Sequence, residues 1–211
     1  SNHGEVLNFK NKDDKLVQTL KYIWESFVFV SQAFYQMPHI TAYIGIGSNL
    51  GTPEENCTKA IEKISSTKDI KIISKSSFYQ TEPIGGVQQG WFVNSAIEIE
   101  TDLSPENLLS VLLNLELAMG RIRKEKWGPR LIDLDLLLYG NLVLENKGLT
   151  LPHPEIQNRK FVLTPMSEIA ENLIHPTLKK TIKTLLQESS DVTIVKKIKN
   201  PNPNHRDQSF P

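Results

Sequence analysis

Between residues 13 and 36, apolar side chains return at steps of three and four: Leu16, Leu20, Ile23, Phe27, Val30 and Phe34 share one face of a predicted helix. Val17, Trp24 and Val28 widen that face, while Gln18, Lys21 and Glu25 keep the opposite side polar. Asp13 or Asp14 stands where a cap is wanted, and Pro38 ends the run. Such a helix suits packing against a domain surface or a dimer seam. Its polar face is too poor in lysine and arginine for one that lies on a membrane.

From Thr41 the pattern changes. Ala42–Ile46 is a short apolar run followed by the turn signal Gly47-Ser48-Asn49-Leu50-Gly51. Pro53 then suits a first helical turn, and Ala60, Ile61 and Ile64 carry a helix onward. Ile70–Tyr79 and Phe92–Glu100 read as strands; in the second, Val93, Ser95, Ile97 and Ile99 form one face and Asn94, Ala96, Glu98 and Glu100 the other. The loop Thr81–Gly90 lies between them. Ser104-Pro105-Glu106 opens a leucine-rich helix that reaches Gly120. Leu131–Tyr139 is a strand, and the chain is then punctuated by proline to about His175. A short helix and a last strand, Val192–Ile198, follow. The order strand, helix, strand, strand, helix, strand predicts an α+β fold, a ferredoxin-like split β-α-β-β-α-β antiparallel sheet with helices packed on one side. The expected divisions are a 1–40 extension bearing the amphipathic helix, a 41–198 domain and a disordered 199–211 tail.

Composition narrows the class. Lys+Arg and Asp+Glu both number 24, so a net charge of zero gives no footprint for nucleic acid or an anionic membrane. The single cysteine, Cys57, excludes an intrachain disulfide and fits a reducing, cytoplasmic setting. No apolar run approaches the roughly 20 residues of a membrane span.

Chemistry concentrates in Gly120–Asp135. Asp133 and Asp135 are two apart on a predicted strand, so both side chains leave the same face, while Ile132, Leu134 and Leu136 turn to the other. Adjacent carboxylates repel unless a cation sits between them, and oxygen ligands of this kind suit Mg²⁺. Arg121, Arg123, Lys124, Lys126 and Arg130 crowd the loop just before the acids, broken by Trp127, Gly128 and Pro129. Acids to hold a metal beside arginines to hold phosphate are the parts of a phosphoryl-transfer site.

This stretch resembles the signature of the 6-hydroxymethyl-7,8-dihydropterin pyrophosphokinases, Arg-x-Arg, Trp-Gly-Pro-Arg and an Asp-x-Asp strand. The resemblance spans about residues 41–190. It includes Ala42–Gly51, Ser77–Pro83, Phe92-Val93-Asn94, Leu151–Pro154 and Asn158–Phe161. It implies transfer of pyrophosphate from MgATP to a pterin alcohol with release of AMP, in folate biosynthesis. By the same resemblance, two Mg²⁺ ions would sit on Asp133 and Asp135, and Arg121 and Arg130 would contact the phosphates. Glu116, Arg123, Trp127 and Leu136 match positions lining the ATP site, as do Thr150, His153 and Arg159. Thr81, Pro83, Ile84, Phe92, Asn94 and Phe161 fall on the pterin pocket. A flat heteroaromatic ring indeed favours aromatic faces with an amide at its polar edge. The loops Thr81–Gly90 and Arg121–Arg130 are expected to close over the substrates.

Two positions depart from the family pattern: Pro154 stands where a tyrosine is frequent, and Gly148 where a basic residue is. The helix over 13–36 lies outside the resemblance, and a neighbouring folate-pathway domain or a dimer partner is the expected contact. Two rivals are weaker. Gly45-x-Gly47 hints at a dinucleotide fingerprint, but Gly51 falls one residue late. A non-catalytic ferredoxin-like ligand-binding module would have no need of paired acids beside an arginine loop.

Overall fold

The computed structural model describes residues 17–25, 39–83, 89–121 and 129–199. The chain divides into two units, residues 1–38 and 39–211. In the first, residues 17–25 form a helix, α1, on which Lys21 and Glu25 pair across one turn at 3.9 Å. The rest of the helix predicted over 13–36 lies outside the described residues, as does the tail from 200 onward. No helix among the described residues is long and apolar enough to cross a membrane.

The second unit is built on a six-stranded sheet. Its centre is β1 (Ile40–Ser48), flanked by β5 (Asp133–Tyr139) at one edge and β4 (Phe92–Thr101) on the other side. β4 takes β2 (Ile70–Lys75) along one half and β3 (Tyr79–Thr81) along the other, and β8 (Val195–Lys197) pairs with β3. Every pairing is antiparallel. A separate two-stranded ribbon joins β6 (Leu144–Glu145) to β7 (Thr150–Leu151).

Alternation along the strands builds two cores. Ala42, Ile44 and Ile46 of β1, with Val93, Ile97 and Ile99 of β4 and Leu134 and Leu136 of β5, face α2 (Pro53–Ser65) and α3 (Pro105–Ala118). The helices answer with Cys57, Ala60 and Ile64, and with Leu108 and Leu112. Each valine, leucine or isoleucine among them stabilises by about 1.5–3 kcal/mol when fully buried. α2 begins on Pro53 with Glu54 and Glu55 in its first turn, where the helix dipole favours acids. α3 is capped by Ser104, whose Oγ accepts the Asn107 N–H at 3.2 Å.

The opposite face of the sheet is also covered, which corrects the expectation of helices on one side only. Tyr43, Ala96, Leu137 and Leu138 pack against Ile156, Val162, Leu163 and Met166 of the segment leading into and through α4 (Lys160–Ala170). Ile182 and Leu185 of α5 (Ile182–Glu188) complete that second core. The β1–β5 register shifts between the Tyr43–Leu138 and Ile44–Leu136 pairs, leaving Leu137 as an extra residue. The resulting bulge sends Leu137 and Leu138 both to the second core.

α4 falls in the stretch read from sequence as proline-punctuated. It holds Pro165 inside it, and its own flank supplies no cap. Asp191, far along the chain, accepts the Lys160 N–H at 2.8 Å instead. The single strand expected over Ile70–Tyr79 is two, because the chain breaks at Ser76–Phe78. There the Ser76 hydroxyl accepts the Ala96 N–H, standing in for a ladder bond.

Candidate active site

Across the middle of the sheet the register sets two rows of residues side by side: Asn94–Gly47–Asp133 and Ala96–Gly45–Asp135. All six line one cavity of about 300 Å³. Period-two alternation puts these positions opposite the α2–α3 core, and the two glycines leave the floor bare. At Gly47 a Cβ would stand 2.9 Å from Asn94 Oδ1, so any larger residue displaces that amide. Gly45-x-Gly47 therefore lies inside a strand, not at a strand-to-helix turn, and the dinucleotide-fingerprint reading falls with that placement.

Part of the cavity is aromatic and amide-lined. Phe92 comes from the start of β4 and Phe161 from the first turn of α4. Asn94 Nδ2 donates to Thr81 Oγ1 at 2.7 Å, fixing an amide beside the rings, and Glu82 and Gln89 complete the wall. Arg159 sits 5.8 Å from the Phe161 ring centroid, in cation–π range. Pro83 is half-buried beyond Glu82 and is not among the lining residues, and Ile84 lies outside the described residues.

The charged part of the lining is Asp133, Asp135, Arg130, His153 and Arg159, the last also over the Phe161 ring. Arg130 Nη1 pairs with Asp133 Oδ2, and Arg121 Nη1 reaches Asp133 Oδ1 at 2.8 Å. Burial and the neighbouring Asp133 charge raise the Asp135 carboxyl above its usual range, against the pull of His153, Arg159 and Arg130. Burial lowers the His153 imidazole, so the neutral ring is favoured, although Asp135 opposes that. Its Nδ1 accepts the Glu155 N–H at 3.2 Å, which leaves the ring proton on Nε2. Burial works against the Arg121 charge, but Asp133 and Glu116 outweigh it and the guanidinium is held more firmly charged than usual.

Four residues expected to meet ATP do not line this cavity, and the first is Arg121, held between Glu116 and Asp133. Leu136 is 3% exposed and packs among the α2–α3 core side chains, because its parity on β5 is opposite to that of the two acids. Glu116, at the end of α3, is 2% exposed and spends its carboxylate on Arg121 and the Leu134 N–H. Thr150 pairs with Glu145 in the small ribbon. Arg123 and Trp127 lie outside the described residues.

Sequence reasoning passed over Asn49. Its Oδ1 accepts the Arg130 N–H at 2.7 Å, its own N–H donates to Arg130 O at 3.1 Å, and its Nδ2 donates to Gln89 Oε1 at 3.1 Å. One amide thus ties the described flanks of both loops together. The signal available was the polar Ser48-Asn49 pair at the end of an apolar strand. Ser48 is spent in the same way, its hydroxyl donating to Leu131 O at 2.6 Å.

Taken together, the cavity offers two aromatic side chains and a held amide together with paired carboxylates and guanidinium groups. That is the chemistry of holding a flat polar heterocycle against a polyphosphate. Among the described residues no three His, Cys, Asp or Glu side chains converge as a metal cage. Two adjacent carboxylates suit instead a hard cation that completes its shell with water and phosphate oxygens.

Comparison with known proteins agrees. Residues 43–171 match the sequence profile of the 7,8-dihydro-6-hydroxymethylpterin-pyrophosphokinase (HPPK) family. A 2-amino-4-hydroxy-6-hydroxymethyldihydropteridine pyrophosphokinase of Haemophilus influenzae is 43% identical over 157 residues, 74% of this chain and 98% of that protein. The Bifunctional protein FolKE of Lactococcus lactis subsp. cremoris is 35% identical over 163 residues, and the match takes up 47% of its length. Among solved structures, Plasmodium falciparum HPPK-DHPS with pteroate shares the fold at a TM-score of 0.59 and 15% identity, over 70% of this chain. The match spans 42% of that longer chain.

Proposed function

The chain belongs to the 7,8-dihydro-6-hydroxymethylpterin-pyrophosphokinase family, and from that premise we propose that it transfers a pyrophosphoryl group from ATP to the hydroxymethyl group of 6-hydroxymethyl-7,8-dihydropterin, releasing AMP, in folate biosynthesis. The observation that carries the assignment to this cavity is the pairing across Gly47. Asn94, with its amide held by Thr81, and Asp133, with its two arginines, stand on either side of one bare backbone position.

In this reading the pterin ring lies between Phe92 and Phe161, with the Asn94 amide at its polar edge. Its hydroxymethyl oxygen then points toward the acid row and bonds to the β-phosphorus as the bridge to AMP breaks. Arg121 and Arg130 steady the charge that develops on the transferred and bridging oxygens, a role suited to guanidinium groups that stay charged. Arg159 and His153 line the same cavity and bear on the nucleotide. The carboxylate pair of Asp133 and Asp135 fits Mg²⁺, two ions by family resemblance, which would neutralise phosphate charge when bound. The ferredoxin-like arrangement is supported by the order β5–β1–β4–β2 with helices after β1 and β4.

The test is AMP release from MgATP with and without 6-hydroxymethyl-7,8-dihydropterin. Pterin-dependent AMP, abolished by EDTA, is the expected result. A folded protein that binds ATP and forms no AMP with pterin would instead be a binding module.

A further inference from the structure

We infer that Glu116 is a positioning residue for the transfer chemistry, setting both Arg121 and the backbone between the two aspartates without touching either substrate; the inference rests on the function proposed above.

Glu116 closes the series Leu108, Leu112, Glu116 along the buried face of α3, so the helix delivers a carboxylate to a place where its pattern calls for an apolar side chain. Burying it there is costly unless donors meet it. Two do, and at the same atom. Glu116 Oε1 accepts the Leu134 N–H at 2.7 Å and is in contact with Arg121 Nη1.

Leu134 is the residue between Asp133 and Asp135, on an edge strand of the sheet. Its N–H makes its bond to the carboxylate, which does the work of a missing neighbouring strand. The same Arg121 Nη1 reaches onward to Asp133 Oδ1 at 2.8 Å. One buried oxygen therefore fixes the peptide that aims the two acids and the guanidinium that serves the phosphates. Arg121 keeps this anchor when Asp133 is otherwise engaged. Glu116 is 2% exposed with its Oε1 taken up by Arg121 and the Leu134 N–H, so its influence passes through those two groups and not through contact with a ligand.

The experiment compares wild type with Glu116→Gln, Arg121→Ala and the double variant in the full chain. Glutamine still offers an oxygen to the Leu134 N–H but carries no charge with which to hold the guanidinium. The expected result is a fall in kcat of about ten- to a hundredfold for Glu116→Gln, the range for residues that orient a site's ligands. KM for ATP and for pterin should stay within about twofold, since no ground-state contact is lost. Affinity for Mg–α,β-methylene-ATP, measured by calorimetry, should be unchanged. In the Arg121→Ala background the Gln substitution should cost less than about twofold more, because both act through one group.

Weakened analogue binding with kcat preserved would mean that Glu116 touches the nucleotide, and would overturn the inference. So would full multiplicativity in the double variant. Should Glu116→Gln fail to fold, Glu116→Asp, one methylene shorter, carries the same kinetic and binding readouts. A wild type that makes no AMP removes the underlying function. The amide resonance of Leu134 in ligand-free Glu116→Ala, which has no oxygen to offer, reports the backbone contact independently, and an unmoved resonance overturns the positioning of that peptide.

Discussion

Asn94 of β4 and Asp133 of β5 are both register partners of Gly47, one on each side of the same strand position. The amide assigned to the pterin and the carboxylate assigned to the metal are thus separated by a single residue that has no side chain. Gly47→Ala would place a methyl 2.9 Å from Asn94 Oδ1, and Asn94 is itself held by Thr81. Overpacking of this kind costs about 1–3 kcal/mol. The expected outcome is a lower melting temperature and a pterin KM raised roughly tenfold or more, since small misplacements are expensive at reacting centres. An unchanged KM would show that the Asn94 amide is not used.

Asp133 holds Arg130 and Arg121 on its two oxygens. Asp133→Ala is expected to abolish turnover, to below about one-thousandth of wild type, as charge-stabilising groups at a transfer centre are worth about 10²–10³ each. Pterin binding, which depends on the aromatic and amide part of the cavity, should change little. Steady-state AMP release and pterin titration by fluorescence check the two halves, and wild-type-like rates would remove Asp133 from the metal site.

Acid should loosen the junction between α4 and the strand pair β3–β8. Burial works against the Glu168 charge, but hydrogen bonds from Lys197, Tyr79 and Ser77 outweigh it and hold the carboxyl at about 2, below its ordinary 4.5. A depressed folded-state value means that stability is fully present above the unfolded value and is lost as pH falls from about 4.5 through about 2. Urea unfolding at pH 6 and pH 3 should show wild type losing more than Glu168→Gln. Equal losses would show that these bonds carry no linked proton. The group is partly exposed, so solvent screening keeps the effect modest.

Cys57 should be inert in the native protein. Its side chain is fully buried on α2, its Sγ lies 3.6 Å from Val93 O, and burial, with Glu54 nearby, pushes the thiol up to about 12. Thiolate is the reactive form, so a disulfide reagent at pH 8 should label it only on unfolding. Fast stoichiometric labelling of folded enzyme would show that α2 opens.

The sequence by itself determined what is local. Asp133 and Asp135 share a face because a strand alternates, and they do so beside Arg130 and Arg121 because the chain is short between them. The alternation of Val93–Glu100, the Ser104 cap and the Pro53 helix start were legible for the same reason: each is fixed by neighbours a few residues away. Leu136 packs in the α2–α3 core because its parity on β5 is opposite to that of the two acids, as alternation requires. α4 shows the limit. Its cap comes from Asp191, its interior contains Pro165, and its apolar side chains find their partners on the far face of the sheet. Val162, Leu163 and Met166 keep a helical spacing, but Pro165 and the lack of a local cap break the signal. Asn49 joins Gln89 to Arg130, and Glu116 joins Arg121 to Leu134, across separations that no spacing rule encodes. Only the folded chain decided these, because long-range hydrogen bonds and buried ion pairs form when the sheet and helices close around them and cannot be seen in sequence spacing.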